Sequence, residues 1–552
     1  MYFPSLAPSN RNLGIATVLL CLVAFSPIFV ADFVNYDDPT YVIDNVLIRH
    51  LSWANIKSIF TGEPTILYVP LTILSYLFER TLLGPAAPIF HSTNLLLHIA
   101  NSLLLLRIVA LLPIADTPVK LLAVIFFALH PLVTESVCWI TERKDVLYCF
   151  FYFLSFIFFL KYRSSGSRRQ ITASFLLFAL SCLSKPMAVS LPIFFFLYDY
   201  ITGRMQRLRQ LLYLAPFFAC SLLFSIISIV RVSNAALSPD KTLPLPLGEK
   251  LILLVAEIGF YFTRPFGFWQ QHLTYLIPPA GSLAHAPQLV LYSILGVIVA
   301  GLFLYIIAIL KDKLMTSLIL GWLAFLSPIL QLYPNTHSYV SERYFYISII
   351  FPVFILYRLA SPVIRKWQPW FYALIAIFCF WSVLRSHGRS RDWRNSETLF
   401  SHEIAVNPEN SLAYNSLAQY YNTNGRFPDA MILLQKALEL EPNNPYYLTN
   451  LGWALGATGH TDLAIDMLSK AIAIRGDIVQ AYNNLAVCYV FKNDDHKALD
   501  CLSAAYKIDP KNSDILYNLG ICYSRAGMEE TALIYFKRAS QLGNRTAERF
   551  AK

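Results

Sequence analysis

Charged residues are scarce in this sequence of 552 residues. Asp, Glu, Lys and Arg together make up 14% of the chain, whereas 56% of it is hydrophobic and the mean hydropathy is +0.50. So few charges exclude an ordinary soluble protein and are typical of a chain with several membrane spans. The apolar excess ends near Arg385, which predicts two domains: a membrane domain at 1–390 and a water-soluble domain at 391–552.

Metal-type cysteine spacing and a signal-peptide cleavage site are also missing. The nine Cys lie singly, which predicts packing residues and free thiols rather than metal ligands. No small-x-small site follows the first apolar segment, so we expect that segment to be a retained anchor. The formal net charge of +10 comes from short Lys and Arg clusters between apolar segments. Orientation in a membrane explains these clusters, and no nucleic-acid partner is predicted.

The membrane half contains twelve apolar segments of spanning or near-spanning length. They lie near 13–33, 91–112, 119–139, 146–162, 171–184, 187–201, 210–231, 250–268, 288–310, 315–332, 344–361 and 368–385. A further stretch, 66–83, predicts an amphipathic helix along the membrane surface. The basic clusters at 161–169, 204–209 and 311–313 can all be cytoplasmic only if 250–268 does not fully cross.

We therefore predict eleven full spans and a re-entrant segment. Arg264-Pro265 and Gly267 break the 250–268 segment, which favours re-entry there. This topology places the C-terminal domain on the extracytoplasmic side. Twelve full spans would place that domain in the cytoplasm, and the four Arg at 385–394 favour this alternative, which stays open.

Ionisable residues recur at the predicted extracytoplasmic ends of different spans. Carboxylates near hydrocarbon are costly, so their presence predicts function. The residues concerned are Asp37 and Asp38 after the first span; His91, Asn94, His98 and Asn101 at helical spacing; Glu135, Trp139 and the turn Glu142-Arg143-Lys144-Asp145; Lys185; and Arg343. Four of these are cations on the side where cations are rare, which favours an anionic ligand such as a lipid phosphate.

Each group also has a structural interpretation, which stays open. The His and Asn stripe is compatible with hydrogen bonding between helices, and the 142–145 turn with a self-neutralising set of salt bridges. Lys185 and Arg343 are placed where long cationic side chains reach the membrane boundary. The Asp pair before Pro39 is compatible with a turn or cap.

The soluble half has a period of 34 residues. Matching positions are Pro408, Pro442, Gly476 and Pro510; Leu417, Leu451, Leu485 and Leu519; Gly425, Gly459, Asn493 and Gly527; Ala430, Ala464, Ala498 and Ala532. This period predicts about four tetratricopeptide repeats, each with two antiparallel helices. Asn450, Asn484 and Asn518 share one position, where they either line a concave peptide groove or bridge helices. The repeats predict the fold and leave the function open.

Together, the motifs resemble the transmembrane and tetratricopeptide-repeat-containing O-mannosyltransferases and their bacterial relatives. They are Asn35-Tyr36-Asp37-Asp38, Pro70-Leu71-Thr72, Phe90-His91-Ser92-Thr93-Asn94 through His98, Ala128-Leu129-His130-Pro131, Glu135-Ser136-Val137, Glu142-Arg143-Lys144-Asp145, Leu183-Ser184-Lys185 and Glu342-Arg343-Tyr344. The resemblance covers nearly the whole chain and implies an all-α GT-C glycosyltransferase that uses a polyprenyl- or dolichyl-phosphate sugar. Animal members mannosylate Ser or Thr of cadherin-type domains in the endoplasmic reticulum. Pro186 stands where animal members tend to have Glu, which leaves the acceptor open.

The resemblance implies roles for the site residues. Asp37 or Asp38 is the expected base that takes a proton from an acceptor Ser or Thr hydroxyl. The expected ligands of the leaving phosphate are Lys185 and Arg343, with Arg143 and Lys144 in reserve. His91, Glu142 and Asp145 are expected to orient sugar or acceptor. No dedicated metal site is predicted, and a divalent cation held by the two Asp and His91 stays open.

The expected sugar is mannose or a similar hexose, and the expected partners are the lipid donor, membrane lipids and an acceptor protein bound by the repeats. We expect a bacterial inner-membrane protein with active site and repeats facing the periplasm, or an endoplasmic-reticulum protein if the source is eukaryotic. Two alternatives remain: a GT-C enzyme acting on a lipid or polysaccharide, and a non-catalytic scaffold that recruits envelope proteins.

Overall fold

The computed structural model describes residues 10–62, 67–112, 117–204, 208–236, 246–267, 270–277, 286–330 and 338–551. The chain forms two compact units, Met1–Asn395 and Ser396–Lys552. Residues 66, 205–207, 268 and 331–332, which belong to predicted segments or basic clusters, lie outside the described residues. The predicted all-α fold class is confirmed in both units.

The first unit is a bundle of helices. They are α1 Asn10–Ala24, α2 Trp53–Thr61, α3 Pro70–Leu83, α4 Ala87–Leu111, α5 Thr117–Val124, α6 Thr134–Cys138, α7 Arg143–Ser165, α8 Arg168–Ser184, α9 Leu191–Ile201, α10 Ala215–Ala236, α11 Leu247–Thr263, α12 Pro287–Tyr305, α13 Lys313–Leu326, α14 Phe345–Ser348, α15 Ile350–Lys366 and α16 Gln368–Asp392. Two short antiparallel strands, β1 Tyr275–Leu276 and β2 Ser338–Val340, join the loops before α12 and α14.

Five helices of the described residues are long and apolar enough to cross a membrane. They are Ala87–Leu111, Ile140–Ser165, Leu211–Arg231, Pro287–Leu310 and Gln368–Asp392. Two bent pairs, Thr117–Leu129 with Pro131–Cys138 and Glu342–Ser348 with Ile350–Lys366, raise the number to seven if each counts as one span. These helices support an integral membrane protein, and the count of eleven spans stays a prediction.

The bundle centre is formed by α4 and α7, which pack against each other. More than half of the apolar window of each is buried, against 11% for α16 at the periphery. Burial of apolar side chains drives the packing of α4 against α7. The apolar faces of α10, α12 and α16 are exposed in the structure, as is expected of helix faces that contact lipid. Helix α3, within the predicted amphipathic stretch, buries Ile73, Tyr76 and Leu77 against Phe90 and Ile140.

The 250–268 segment forms α11, and the helix ends where the sequence predicts a break. A 3₁₀ turn at Arg264–Phe266 follows Thr263, because Pro265 cannot continue the helix. Helix α11 packs closely against α12 through Gly259 and Gly296. A Cβ atom at Gly259 would lie 2.1 Å from the carbonyl oxygen of Tyr292, so only glycine fits this crossing.

The second unit is a solenoid of helix pairs. Its helices are α17 Ser396–Val406, α18 Ser411–Thr423, α19 Phe427–Leu440, α20 Pro445–Ala457, α21 Thr461–Ile474, α22 Val479–Phe491, α23 Asp495–Ile508, α24 Ser513–Arg525 and α25 Glu529–Gln541. From α18 to α25, each pair forms one predicted repeat. The series Gly425, Gly459, Asn493 and Gly527 lies in the turn within each pair, at φ of 73°, 84°, 57° and 76°. Glycine and asparagine tolerate this left-handed backbone, which explains the series.

Candidate active site

The first loop separates the two adjacent carboxylates. Asp38 is fully buried, and its carboxylate accepts hydrogen bonds from the backbone N–H of Val34 at 2.9 Å and of Thr141 at 3.2 Å. The Thr141 hydroxyl donates a third hydrogen bond at 2.5 Å. Burial raises the pKa of Asp38 to about 6, against these hydrogen bonds, which lower it. Asp38 therefore ties the first loop to the turn that precedes α7.

Asp37 lies differently from its neighbour. It is half-buried, and its carboxylate has no hydrogen bond or ion pair with any residue that the structure describes. It lies within electrostatic range of Lys144 and Asp38. Of the two carboxylates, only that of Asp37 is unoccupied by protein donors in the described part of the chain. It can therefore accept a proton without breaking internal hydrogen bonds.

Three predicted phosphate ligands gather around one carboxylate, that of Glu142. The ammonium group of Lys144 lies 3.1 Å from this carboxylate, that of Lys185 lies 3.4 Å away and the Arg343 guanidinium 3.7 Å away. Lys185 also pairs with Asp145, and Arg343 pairs with Glu135 at 3.1 Å. We call Lys144, Lys185 and Arg343 the cation cluster. Three carboxylates balance its three charges, as buried cations require.

Local sequence places each member of the cation cluster. Pro186 excludes helical backbone at the preceding residue, so α8 ends at Ser184 and Lys185 is extended, with φ −156° and ψ 134°. Lys144 lies in the first turn of α7, and Arg343 lies in the 3₁₀ turn Glu342–Tyr344. The Arg343 side chain is 23% exposed, whereas those of both lysines are 6% exposed. Arg343 is therefore the member most open to a ligand.

Arg143, although next to Lys144, is not part of the cation cluster. Its guanidinium pairs with Glu79 and donates to the Asn94 side chain at 2.7 Å and to the Phe90 carbonyl at 2.8 Å. It also lies over the Tyr76 ring, 4.8 Å from its centroid, and is fully buried. These contacts join α3, α4 and α7, so Arg143 holds these three helices together.

The polar stripe of α4 makes hydrogen bonds between segments. Asn94 donates to the Trp139 carbonyl at 3.0 Å, and His98 lies 2.8 Å from the Tyr346 hydroxyl. Asn101 donates to the Val146 carbonyl at 2.8 Å. His91 contacts the Asp32 carbonyl at 3.2 Å and so holds the first loop. The structure brings none of these four side chains into the cation cluster.

A second buried polar group lies beside Arg343 and is absent from the sequence predictions. Glu342 accepts hydrogen bonds from the Tyr275 hydroxyl at 2.8 Å and the Gln271 amide at 2.9 Å, and pairs with Arg264 at 3.4 Å. The pairing of β1 with β2 brings these residues together. The available signal in the sequence was Arg264, a cation inside an apolar segment.

Three aromatic rings form a row that starts at Tyr36, next to Asp37. Tyr36 lies 4.9 Å from Trp139, which stacks at 5.6 Å on Trp393. Both Trp rings are buried, so they form a wall behind the first loop rather than an open surface. Within the described residues, no group of three or more His, Cys, Asp and Glu side chains is arranged to hold a metal ion.

In the repeat unit, two of the three predicted groove residues pair with the preceding repeat. The side-chain amide of Asn450 donates to the Asn415 oxygen at 2.8 Å, and Asn518 donates to Asn483 at 2.8 Å. Asn484 has no such pair, because Thr449 occupies the position equivalent to Asn415 and Asn483.

Family models of the tetratricopeptide repeat match residues 384–445, 433–466, 479–512 and 501–534. Two solved structures are also similar: the crystal structure of MamA is 25% identical, with a TM-score of 0.24, over 27% of this chain and 87% of its own. The crystal structure of YrrB is 19% identical, with a TM-score of 0.24, over 35% of this chain and 96% of its own.

Curated relatives extend the similarity into the first unit. The Drosophila melanogaster protein O-mannosyl-transferase Tmtc3 is 23% identical over 464 residues, covering 70% of this chain and 50% of the relative. Human TMTC3, also named a protein O-mannosyl-transferase, is 22% identical over 433 residues, covering 70% and 46%. Human TMTC4 is 29% identical over 180 residues, covering 28% and 24%. The chain spans half or less of the length of these relatives. It carries tetratricopeptide repeats and is similar in sequence to these relatives, which are named protein O-mannosyl-transferases.

Proposed function

We propose that this chain transfers mannose or a similar hexose from a polyprenyl-phosphate donor to Ser or Thr hydroxyls of an acceptor protein. The observation that carries the proposal is the cation cluster, one member of which, Lys144, lies within electrostatic range of the Asp37 carboxylate. A glycosyl phosphate needs positive charge at its leaving group and a base at its acceptor. Relatives named protein O-mannosyl-transferases support this reaction class.

Asp37 is the base in this mechanism. Its carboxylate takes the proton of the acceptor hydroxyl while the hydroxyl oxygen attacks the anomeric carbon of the sugar. The bond between that carbon and the phosphate oxygen breaks, and its electron pair leaves with the lipid phosphate. One carboxylate acting on the acceptor side gives inversion at the anomeric carbon.

The cation cluster stabilises the phosphate as its negative charge grows. Arg343 is the first candidate contact because its side chain is the most exposed of the three. Lys185 and Lys144 add positive charge from a buried position, where weak screening by water strengthens their effect. Glu142 and Asp145 hold the two lysines in place, so the cations are aligned before a donor arrives.

Asp38 acts as a positioning residue. Its three hydrogen bonds fix residues 34–38 against Thr141, and the same turn leads directly to Lys144. Asp37, the preceding residue in this fixed loop, lies within electrostatic range of Lys144. His91 supports the loop from α4 through the Asp32 carbonyl.

The repeats bind the acceptor protein in this proposal, and both the active site and the repeats face the extracytoplasmic side. That side is the periplasm in a bacterial inner membrane and the lumen in an endoplasmic-reticulum membrane. The tetratricopeptide fold supports a role in protein binding, because its stacked helix pairs present an extended surface to a partner.

The test is a transfer assay with the purified full-length chain in lipid nanodiscs. Labelled polyprenyl-phosphate mannose is supplied with extracytoplasmic proteins, and both donor hydrolysis and labelling of protein are measured. We expect both, with Asp37→Asn inactive and Lys161→Ala, at the other end of α7, fully active. Label found in a lipid or polysaccharide, or no turnover of any polyprenyl-phosphate hexose, would overturn the proposal.

A further inference from the structure

Glu135 is a buried carboxylate that the proposed reaction does not use. It lies in the first turn of α6, and its side chain is 2% exposed. One of its oxygens lies 3.1 Å from the Arg343 guanidinium, and the other has no hydrogen-bond partner among the described residues. Nearly all buried polar atoms are hydrogen-bonded, because an unpartnered one costs free energy. The second oxygen of Glu135 therefore requires an explanation.

The other two carboxylates of the cation cluster are held more firmly. Glu142 contacts one lysine of the cluster at 3.1 Å with one oxygen and the second lysine at 3.4 Å with the other oxygen. Asp145 pairs with a lysine through one oxygen, and its other oxygen accepts a hydrogen bond from the Ser136 hydroxyl at 3.1 Å. Glu135 has a single ion-pair partner in the described part of the chain. That partner, Arg343, is the cation most open to a ligand.

The cation cluster and its carboxylates carry no net charge. Three cations face Glu135, Glu142 and Asp145, so positive and negative charges are equal in number. A donor phosphodiester adds one negative charge where water screens poorly, because the side chains of both lysines and all three carboxylates are at most 6% exposed. An uncompensated charge in such a place is costly. Donor binding therefore requires that a positive charge enters with the donor or that one carboxylate becomes neutral.

The charges around Glu135 make it the carboxylate that becomes neutral. Arg343 stabilises its negative charge, whereas Glu142 and Glu342 oppose it. Glu342 is itself paired with Arg264 at 3.4 Å. A phosphate that takes over Arg343 leaves Glu135 beside two carboxylates and without the one cation that it pairs with among the described residues. A buried carboxylate without a cation is more stable in its protonated form.

The other helices packed against α6 offer no replacement for Arg343. These helices are α4, α7 and α16. Their buried histidine and charged side chains are His91, His98, Arg143, Lys144, Asp145 and Arg389. Each charged one forms an ion pair with a residue other than Glu135, and each histidine contacts a backbone carbonyl. The turns that contact α6 add only Glu142, Glu342, Arg343 and Tyr344 as ionisable groups.

We propose that Glu135 takes up one proton when the donor binds, as the donor phosphate displaces it from Arg343. The carboxylate and a proton from solvent form a carboxylic acid, and the guanidinium pairs with a phosphate oxygen instead. The O–H of the acid is a hydrogen-bond donor, whereas the ionised carboxylate would repel the phosphate. The inference rests on the proposed function and adds a residue that couples donor affinity to pH.

The test counts the protons taken up on binding, with the full-length chain in lipid nanodiscs. The probe is geranylgeranyl methyl phosphate, a phosphodiester with one negative charge that does not titrate near neutral pH. Calorimetry at about pH 8 in two buffers of different ionisation enthalpy gives the number of protons, and we expect about one per bound lipid. From about pH 7 to 9, the Kd should rise about tenfold for each pH unit.

A variant assigns the proton to Glu135. Glu135→Gln keeps the size of the side chain and is neutral at every pH. We expect it to take up no proton and, at about pH 9, to bind the probe about tenfold or more tightly than the native chain. Glu439→Gln, which changes an exposed carboxylate of the repeat unit, should behave like the native chain. If Glu135 only holds Arg343 in place, Glu135→Gln binds more weakly at every pH and proton uptake is unchanged, which overturns the inference.

Geranylgeraniol, which has the same hydrocarbon chain and no phosphate, separates this inference from the proposed function. Preferential binding of the phosphodiester without proton uptake overturns the inference and leaves the proposed function standing. The native chain alone gives this count, so the result holds even if Glu135→Gln fails to fold. A native chain that binds the phosphodiester no better than geranylgeraniol contradicts both.

Discussion

The hydroxyl of Thr141 donates a 2.5 Å hydrogen bond to the carboxylate of Asp38, which lies 103 residues earlier in the chain. The backbone N–H of the same residue donates to the same oxygen at 3.2 Å. This double contact fixes the first loop on the turn before α7. It also distinguishes two adjacent, chemically identical residues, because it occupies Asp38, whereas no donor among the described residues binds the Asp37 carboxylate.

Asp37→Asn removes the proposed base and keeps the size of the side chain. We expect turnover to fall by about two powers of ten or more while folding is unchanged. Asp38→Asn should lower turnover less and lower the thermal midpoint as well, because an amide cannot accept all three hydrogen bonds. Transfer assays and thermal unfolding in detergent measure both. Full activity in the two single variants would remove the first loop from the mechanism.

Stability should depend on pH through Asp38. Its pKa is raised by burial to about 6, above the unfolded value, so the folded state holds the proton more tightly. Its contribution is therefore fully present below about pH 4 and is lost as pH rises through 6. Two pKa units correspond to about 3 kcal/mol. The thermal midpoint of the native chain, relative to Asp38→Asn, should fall between pH 4 and 7; a constant difference would contradict this.

Arg343→Ala should weaken use of the charged donor by about 1.5–3 kcal/mol if the guanidinium contacts the phosphate. Lys185→Ala should do the same, with some loss of stability because Asp145 loses its partner. An uncharged lipid analogue has no phosphate to interact with these cations, so its binding should change little. Donor titrations with both lipids test the assignment, and equal losses for both would indicate misfolding rather than phosphate binding.

Arg143 should behave as a structural residue. Arg143→Ala leaves Glu79 buried without its cation and should destabilise the chain by roughly 3–5 kcal/mol. The double variant Glu79→Gln/Arg143→Met, which removes both charges, should recover much of that loss. Thermal unfolding measures the difference. A folded Arg143→Ala variant with weakened donor binding would instead place Arg143 at the phosphate.

The side on which the repeats lie is tested by Lys436→Cys, an exposed position on α19. It should react with a membrane-impermeant thiol reagent added from outside, whereas Lys161→Cys in a predicted cytoplasmic cluster should react only after the membrane is opened. Deleting residues from Asn407 onward should abolish protein modification and spare slow donor hydrolysis. Tethering raises acceptor modification by roughly a hundredfold. Repeats that react only in opened membranes would support the twelve-span topology.

Features that follow from a local sequence pattern or from the positive-inside rule could be predicted from the sequence. The 34-residue series Ala430, Ala464 and Ala498 predicts the helix crossings of the solenoid, and all three residues are fully buried. The positive-inside rule identified Lys185 and Arg343 as unusual, and both lie in the cation cluster. Their roles, and those of the other site residues, remain predictions.

The sequence could not show pairings between distant segments. Arg143 and Lys144 are adjacent cations with the same expected ligand, yet one faces Glu79 and the other Glu142. The role of Thr141 as the partner of Asp38 could not be predicted, because a single Thr in a turn belongs to no recognisable sequence pattern. The contacts of Glu342 with Tyr275 and Gln271 depend on two strands of two and three residues. Strands this short show no periodicity from which they could be predicted.

The shared carboxylate of Glu142 has a consequence for product release. In the proposed reaction, a lipid phosphate departs from three cations, of which the two lysines have little access to water. Glu142 lies within 3.7 Å of all three, so their mutual repulsion remains compensated when the phosphate is gone. We therefore expect these cations to need no ion from solvent when the product leaves.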